Sequence, residues 1–243
     1  MKCIAHRGWS SKAPENTLAA FRLAMEETWI YGVELDVHLT KDGVPVVIHD
    51  HTLERTTNGI GFIKESTYEE LRKLDAGSWF HPSFAEEKIP SLEEVFQLFK
   101  PTSCQIVVEL KQTGDFYLGL EKAVIELIEK YKMYSQVLVA SFDHESVRKV
   151  KELDRHVETG FIVFGQPTML IDQLNFTGAT SVSMHYAYLT KALVSTLLEN
   201  GVRVGAWTVD EARVMETLKG YSPHMHITTN KPEQFLKVSV ASS

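Results

Sequence analysis

The chain has 243 residues, of which 44% are hydrophobic, and its formal net charge is −7. This length and apolar content are enough for one large buried core, so we expect a single domain over residues 1–243. The negative charge argues against a nucleic-acid partner and against an anionic membrane surface, because both are bound through clustered Lys and Arg. An anionic small molecule would therefore have to be bound by a few local cations.

Cysteine content and hydropathy indicate in which cellular compartment the protein is expected. The two cysteines, Cys3 and Cys104, both lie in apolar runs, where a free buried thiol is usual. No run approaches the ~18 apolar residues of a membrane span, and no apolar leader precedes His6. We therefore expect a cytoplasmic protein with no integral membrane segment.

Short apolar runs alternate with helical segments along the whole chain. The pattern predicts strands at Cys3–Ala5, Val33–Val37, Pro45–Ile48, Gln105–Leu110, Gln136–Ala140, Glu158–Val163, Thr180–Met184, Arg203–Trp207 and His226–Thr228. Helices are predicted after capping residues, at Leu18–Glu27 after Thr17, Leu92–Phe99 after Ser91 and His144–Leu153 after Asp143. This alternation is typical of an α/β fold in which helices surround a parallel sheet, and it favours a single (β/α)8 TIM-type barrel.

Nine strands are one too many for an eight-stranded barrel. The stretch from Val37 to Pro45 is too short for a helical crossover between parallel strands, and its residues 40–43 have the composition of a turn. One of the two flanking runs is then a hairpin arm, or the last run lies outside the barrel. The sequence leaves both alternatives open.

Residues 51–88 interrupt the regular succession of strands and helices. Turn-forming residues here surround one short predicted helix, Tyr68–Leu74. Long inserts at the rim of a barrel usually shape access to the site. We therefore expect residues 51–88 to form a small insertion that caps the rim.

Two histidines follow predicted strands, His6 after the first and His49 after the third. An imidazole with a pKa near its usual ~6.5 can give or take a proton at neutral pH, and hydrolysis of an ester needs both operations. Any one of the ten histidines alone is more often structural than catalytic. Their position beside acidic residues makes His6 and His49 candidate catalytic groups.

Three carboxylates and two cations are predicted at the same rim. Glu34 and Asp36 are two residues apart in a strand and therefore point the same way, as Glu109 and Lys111 do. Three carboxylates suit Mg²⁺ or Ca²⁺, which prefer oxygen ligands, whereas an isolated pair is more often a pair of solvated or salt-bridged strand-end charges. Arg7 and Lys111 would bind a phosphate, and with one divalent cation the set carries +1, which a phosphodiester monoanion neutralises.

Ordered motifs extend along nearly the whole chain. They are His6-Arg7-Gly8, Pro14-Glu15-Asn16-Thr17, Glu34-Leu35-Asp36-Val37, Thr40-Lys41-Asp42-Gly43, His49-Asp50, Leu53-x-Arg55-Thr56-Thr57, Leu74-Asp75-Ala76-Gly77-Ser78-Trp79-Phe80, Val108-Glu109-Leu110-Lys111 and Ala206-Trp207-Thr208-Val209. With these motifs the chain resembles the glycerophosphodiester phosphodiesterases of the phospholipase-C-like phosphodiesterase superfamily. The resemblance implies a TIM-type barrel with a small insertion after the strand that ends at His49.

The resemblance also implies a role for each candidate residue. His6 and His49 would be the acid–base pair, Glu34, Asp36 and Glu109 the metal ligands, and Arg7, Lys111 and Trp207 the substrate-binding residues. The metal would be one divalent cation, Mg²⁺ or Ca²⁺, with Mn²⁺ as a further possibility. Trp207 has an alternative role in ordinary packing at a strand end.

The implied reaction is hydrolysis of a small-molecule glycerophosphodiester to an alcohol and sn-glycerol 3-phosphate. Either water attacks directly, or the glycerol 2-hydroxyl attacks first and a cyclic phosphate is then opened. The sequence does not say which histidine is the base. Cleavage of a lysophospholipid or another phosphodiester, and binding without turnover, remain alternatives.

The resemblance does not assign a role to the rim of the last predicted strand or to the aromatic residues of the insertion. The last predicted strand reads His224-Met225-His226-Ile227 where many members of the family have Asp-Gly-Ile, so the contacts of that strand at the rim are not carried over. The aromatic residues of the insertion, Phe62, Trp79, Phe80 and Phe84, could form an apolar mouth, pack the insertion onto the barrel, or contribute to a homodimer.

Overall fold

The computed structural model describes residues 1–240 and shows a closed barrel of parallel strands. The strands are β1 (Lys2–His6), β2 (Ile30–Leu39), β3 (Pro45–Val47), β4 (Gln105–Leu110), β5 (Val137–Ser141), β6 (Glu158–Val163), β7 (Ser181–His185), β8 (Arg203–Trp207) and β9 (His226–Thr229). Neighbouring strands pair in the order β1-β2-β4-β5-β6-β7-β8-β9, and β9 pairs again with β1. The predicted TIM-type barrel is therefore confirmed.

The additional strand is the arm of a hairpin. β3 pairs antiparallel with the outer end of β2, where Val37 lies opposite Val47 and Leu39 opposite Pro45. The turn between them contains Gly43, whose φ of 80° lies in the left-handed region that glycine adopts without steric cost. Since β9 pairs with both β1 and β8, the last strand belongs to the barrel, and the hairpin alternative is the correct one.

Helices surround the barrel. They are α1 (Leu18–Met25), α2 (Tyr68–Leu71), α3 (Leu92–Phe99), α4 (Leu120–Tyr131), α5 (His144–Leu153), α6 (Leu170–Thr177), α7 (Lys191–Glu199), α8 (Ala212–Tyr221) and α9 (Pro232–Val240). The predicted caps Thr17, Ser91 and Asp143 each accept a hydrogen bond from a backbone N–H of the first turn. The predicted bounds of α3 and α5 are confirmed, whereas α1 and α2 end two and three residues earlier than predicted. No helix among the described residues is long and apolar enough to cross a bilayer.

The insertion packs on β3 through a small apolar cluster. It contains α2 and two short 3₁₀ turns, Ile63–Glu65 and Pro82–Phe84. Its buried residues Leu53, Ile63, Leu71 and Ala76 form one cluster with Val46, Ile48 and Ile89, which lie just outside the insertion in the chain. The ring of Phe80 contacts the rings of Trp79 and Phe84, so these aromatic residues pack within the insertion. Phe62 and Trp79 remain partly exposed.

Candidate active site

Three buried carboxylates meet at the carboxyl ends of β2 and β4. Glu34 and Asp36 are two residues apart on β2, and Asp36 lies opposite Glu109 of β4 in the parallel register. Side chains two apart in a strand project to the same side, here into the barrel. One carboxylate oxygen from each residue lies within 4.8 Å of the others. The predicted ligands are thus brought together by strand pairing.

The donors of this cluster fit a divalent cation. Glu34 Oε1 and Asp36 Oδ1 are buried and accept no hydrogen bond within residues 1–240, which is costly for a carboxylate unless another positive group compensates. Burial, reinforced by the charge of Asp36, raises the pKa of Glu34 well above its usual range and that of Glu109 to about 7. An all-oxygen set with unsatisfied atoms is what Mg²⁺, Ca²⁺ or Mn²⁺ binds.

Two cations border the carboxylates. Lys111 Nζ lies 2.8 Å from Glu109 Oε1 and 3.3 Å from Asp36 Oδ1. Arg7 Nε lies 3.2 Å from Asp36 Oδ2, and Arg7 Nη1 lies 2.8 Å from Glu15 Oε1. Burial opposes the charge of Lys111, but Asp36 and Glu109 outweigh it and raise the Lys111 pKa. Both side chains are therefore held as cations beside the carboxylates.

A tight turn after β1 directs Arg7 into the site. Arg7 has a φ of 57° and Gly8 a φ of 77°, and the left-handed region is unfavourable for arginine. A Cβ at position 8 would lie 2.7 Å from the carbonyl carbon of Ala20, so only glycine permits this approach of the turn to α1. The backbone N–H of Arg7 donates to Glu34 Oε2 at 3.1 Å, which ties the turn to the carboxylate cluster.

His6 is oriented by a chain of polar contacts. Its Nδ1 lies 2.7 Å from Asn230 Oδ1, and Asn230 Nδ2 donates to Asp210 Oδ2 at 2.8 Å. Because this second contact orients the amide, Asn230 presents an acceptor, and His6 Nδ1 carries the hydrogen. Burial and the nearby charge of Arg7 lower the pKa of His6 to about 4. At neutral pH His6 is therefore uncharged, with an unprotonated Nε2 that lies 3.7 Å from Glu34 Oε2.

His49 has a carboxylate as its partner instead. Its Nδ1 lies 2.6 Å from Asp50 Oδ1, and Arg55 of the insertion donates to both oxygens of Asp50. Arg55 also makes two hydrogen bonds to the carboxylate of Glu15, which in turn binds Arg7. This network holds the imidazole of His49 through its Nδ1. Burial lowers the pKa of His49, although the charge of Asp36 acts against it.

Sequence analysis assigned no role to several residues that hold the site. Glu15 and Arg55 lay within quoted motifs, but nothing in their spacing indicated that they bridge Arg7 to Asp50. Asp210 and Asn230 are twenty residues apart and meet only because β8 and β9 are adjacent. His38 was not singled out, although its Nε2 lies 2.9 Å from the backbone oxygen of His49.

A cavity of about 220 Å³ runs through the barrel and reaches this end of it. Seven of the eight candidate residues line it, namely His6, Arg7, Glu34, His49, Glu109, Lys111 and Trp207. Asp36 is fully buried beside them. The indole Nε1 of Trp207 donates to Ser183 O at 3.0 Å, so this side chain is anchored in the sheet and also borders the cavity.

Comparison with known proteins identifies the family of this chain. The model of the glycerophosphoryl diester phosphodiesterase family matches residues 6–234. A glycerophosphodiester phosphodiesterase of Caldanaerobacter subterraneus is 42% identical over 218 residues, covering 88% of each chain. A putative glycerophosphodiester phosphodiesterase of Bacillus subtilis is 37% identical over 240 residues, covering 98% of this chain and 97% of that one.

Solved structures show the same fold. A phosphodiesterase of Oleispira antarctica, in complex with the product sn-glycerol-3-phosphate, superimposes with a TM-score of 0.92 at 30% identity, covering 100% of this chain and 97% of that chain. A putative glycerophosphodiester phosphodiesterase of Galdieria sulphuraria superimposes with a TM-score of 0.87 at 29% identity, covering 98% and 97%. The resemblance carried by the motifs is confirmed, and the chain belongs to the glycerophosphoryl diester phosphodiesterase family.

Proposed function

We propose that this protein hydrolyses glycerophosphodiesters to an alcohol and sn-glycerol 3-phosphate, with a divalent cation and with His6 and His49 as proton-transfer groups. One observation carries the proposal: three clustered carboxylates, of which Glu34 and Asp36 each have an oxygen without a hydrogen bond within residues 1–240, lie at a cavity that two cations and two imidazoles also line. Relatives named for this activity match nearly the full chain. The cytoplasmic location expected from the sequence stays a prediction, as does the homodimer that the sequence leaves possible.

Glu34, Asp36 and Glu109 would hold the metal, and Arg7 and Lys111 would bind the phosphate. When bound, the cation polarises a phosphate oxygen and neutralises charge that develops during attack. The two side-chain cations are already neutralised in part by carboxylates, which keeps them in place before substrate arrives. We also propose that the insertion 51–88 limits access to the site, because its Arg55 closes the network between Glu15 and Asp50.

The partners of the two histidines favour different roles. Asp50 lies beside Nδ1 of His49 and partly offsets the lowering of the His49 pKa by burial, so we assign His49 as the acid that protonates the leaving alkoxide. The partner of His6 is the uncharged amide of Asn230, which leaves the imidazole neutral. His6 is therefore assigned as the base that takes the proton of the attacking hydroxyl, whether that hydroxyl is water or the glycerol 2-hydroxyl.

A coupled assay for sn-glycerol 3-phosphate tests the proposed function. EDTA-treated protein is offered glycerophosphocholine, glycerophosphoethanolamine and bis(p-nitrophenyl) phosphate, and then Mg²⁺, Ca²⁺ or Mn²⁺ is returned. We expect no product before the metal is added and turnover afterwards. If no substrate turns over with any metal, the assignment is wrong, and lysophospholipid cleavage or binding without turnover takes its place.

Exchanging Asp210 and Asn230 tests how His6 is oriented. Asp210→Asn lets the amide of Asn230 rotate, and Asn230→Asp places two carboxylates side by side. We expect each single variant to lower kcat by ~10–100-fold, the usual cost of losing an orienting partner. In the double variant an amide at position 210 again donates to an acceptor at position 230, so kcat should recover substantially. Double-variant activity no higher than that of either single variant would contradict this role.

A further inference from the structure

Aromatic side chains cluster at one side of the cavity, and two of them, Phe142 and Trp207, line it. They come from β7, β8 and the segments that follow β5, β6 and β7, and we call them the aromatic wall: Phe142, Phe164, His185, Tyr188 and Trp207. Trp207 lies at the centre, with ring centroids 5.4 Å from Phe142, 5.4 Å from His185 and 6.2 Å from Phe164. Phe142 is 46% exposed and Phe164 is 64% exposed. These rings therefore do not complete the core and present apolar faces to solvent.

The aromatic wall is continuous with the phosphate-binding end of the cavity. Phe142 and Trp207 line the same cavity as Lys111. Phe142 also lines a second, open groove of about 830 Å³ between the loops that follow β4, β5 and β6. A molecule whose phosphate lies at Lys111 can therefore extend one ester arm along the wall towards this outer groove.

The outer groove carries negative charge and no cation. Its lining residues include Asp143, Glu145 and Asp172, but no Lys or Arg. Glu145 is paired with Arg148, whereas Asp143 and Asp172 form no ion pair within residues 1–240. An ester arm that is anionic would be repelled here. A cationic arm would be attracted by the carboxylates and by the negative faces of the rings.

The faces of aromatic rings offer no strong hydrogen-bond acceptor, so they do not bind all cations equally well. A primary ammonium binds best where it can donate three hydrogen bonds. A polyol that packs against phenyl rings loses its hydrogen bonds to water and gains none in their place. A quaternary ammonium has no N–H to satisfy and is the cation that aromatic cages bind. We propose that the aromatic wall binds the quaternary ammonium group of a choline ester, whose phosphate lies at the proposed catalytic site. This proposal rests on the proposed function for the position of the phosphate.

Phe164 offers the cleanest test, because it lies in the aromatic wall and does not line the catalytic cavity. Phe164→Leu keeps an apolar side chain and removes the ring, whereas Phe164→Tyr keeps the ring. We expect the ratio of kcat/KM for glycerophosphocholine to that for glycerophosphoglycerol to fall ~3–30-fold in Phe164→Leu, through KM, and to change little in Phe164→Tyr. Phe62→Leu, at a comparably exposed phenylalanine of the insertion, should keep the wild-type ratio.

The quaternary ammonium group could belong to a lipid or to a water-soluble phosphodiester. Assays with lysophosphatidylcholine and lysophosphatidylglycerol as substrates distinguish these two sources. A preference for the choline lipid that Phe164→Leu removes supports the same recognition with a lipid substrate. If Phe164→Leu leaves every choline-to-glycerol ratio unchanged, or lowers both members of each pair equally, the aromatic wall does not recognise the ammonium group and the proposal is overturned.

Direct binding separates failure of this proposal from failure of the proposed function. Tetramethylammonium is titrated by calorimetry into wild-type protein, Phe164→Leu and Phe164→Tyr, with no substrate present. Binding that weakens in Phe164→Leu and persists in Phe164→Tyr supports the subsite even if no phosphodiester is hydrolysed. Absence of binding to the wild type, together with unchanged ratios in the kinetic assay, overturns it.

Discussion

Asp36→Asn is expected to lower kcat by at least ~10³-fold, because in the proposed site this carboxylate is a metal ligand and also contacts both cations. Asp36 lies 3.2 Å from Arg7 Nε and 3.3 Å from Lys111 Nζ, and it accepts a hydrogen bond from Asn16 at 2.8 Å. The uncharged amide conserves volume but leaves two buried cations without their shared partner. Steady-state kinetics and calorimetric titration with Mg²⁺ or Mn²⁺ measure the two effects.

Asp42→Asn is the matched control for this change. Asp42 is a nearby aspartate in the turn of the β2–β3 hairpin. It accepts hydrogen bonds from Thr40 and Tyr68 and does not line the cavity. Its replacement should leave kcat and metal affinity near wild-type values. Should Asp36→Asn bind the metal and turn over as well as Asp42→Asn, Asp36 is not a ligand.

The affinity for the metal should also depend on pH. Without metal, burial and the charge of Asp36 raise the pKa of Glu109 to about 7, so this carboxyl is protonated in most molecules below that pH. A cation must then displace the proton before it can bind. We expect the concentration of Mg²⁺ needed for half-saturation to fall as pH rises from 6 to 8. Affinity that is flat over this range would show that Glu109 does not take part.

His49→Gln is expected to lower kcat for a glycerophosphodiester by ~10²–10⁴-fold, the usual contribution of a general acid or base, with a smaller effect on KM. In the proposed mechanism an alkoxide leaving group needs a proton, which Nε2 of His49 would supply while Asp50 holds Nδ1. Nitrophenolate, which is the leaving group of bis(p-nitrophenyl) phosphate, can depart without being protonated. The loss should therefore be much smaller with bis(p-nitrophenyl) phosphate, and the ratio of the two losses measures acid catalysis directly.

His6→Gln provides the comparison that separates the two roles. A base is needed for attack whatever group leaves, so the loss in His6→Gln should be of similar size with both substrates. His156→Gln is the control, because His156 is also a histidine paired with an aspartate, Asp154, but lies on an exposed loop far from the cavity lining. If His6→Gln, and not His49→Gln, is rescued by the nitrophenyl leaving group, the assignments must be exchanged.

The barrel was largely predictable because its signals are local. A strand buried on both faces reads as an apolar run, and a helix start is marked by a single capping residue such as Ser91 or Asp143. Local sequence signals could not decide whether the additional strand was a hairpin arm or whether the last strand lay outside the barrel. The answer depended on β9 pairing with both β1 and β8, which only closure of the sheet decides.

By itself the sequence determined which chemical groups are available and which share a strand face. The two-residue spacing of Glu34 and Asp36, and of Glu109 and Lys111, placed each pair on one side of a strand before any fold was known. The histidines and Arg7 were identified because they follow apolar runs. These signals are local in the chain, and they were sufficient to predict the candidate site. The family was predicted from the resemblance of the ordered motifs that contain these residues.

Only the tertiary structure decided what holds those groups in place. The contact of Asp210 and Asn230 with His6, and the bridge from Glu15 through Arg55 to Asp50, join residues that are distant in sequence. The aromatic wall likewise gathers Phe142, Phe164 and other rings from successive segments. Partners of this kind are set by barrel closure and by the shape of the loops, because a side chain finds its neighbour across the sheet rather than along the chain.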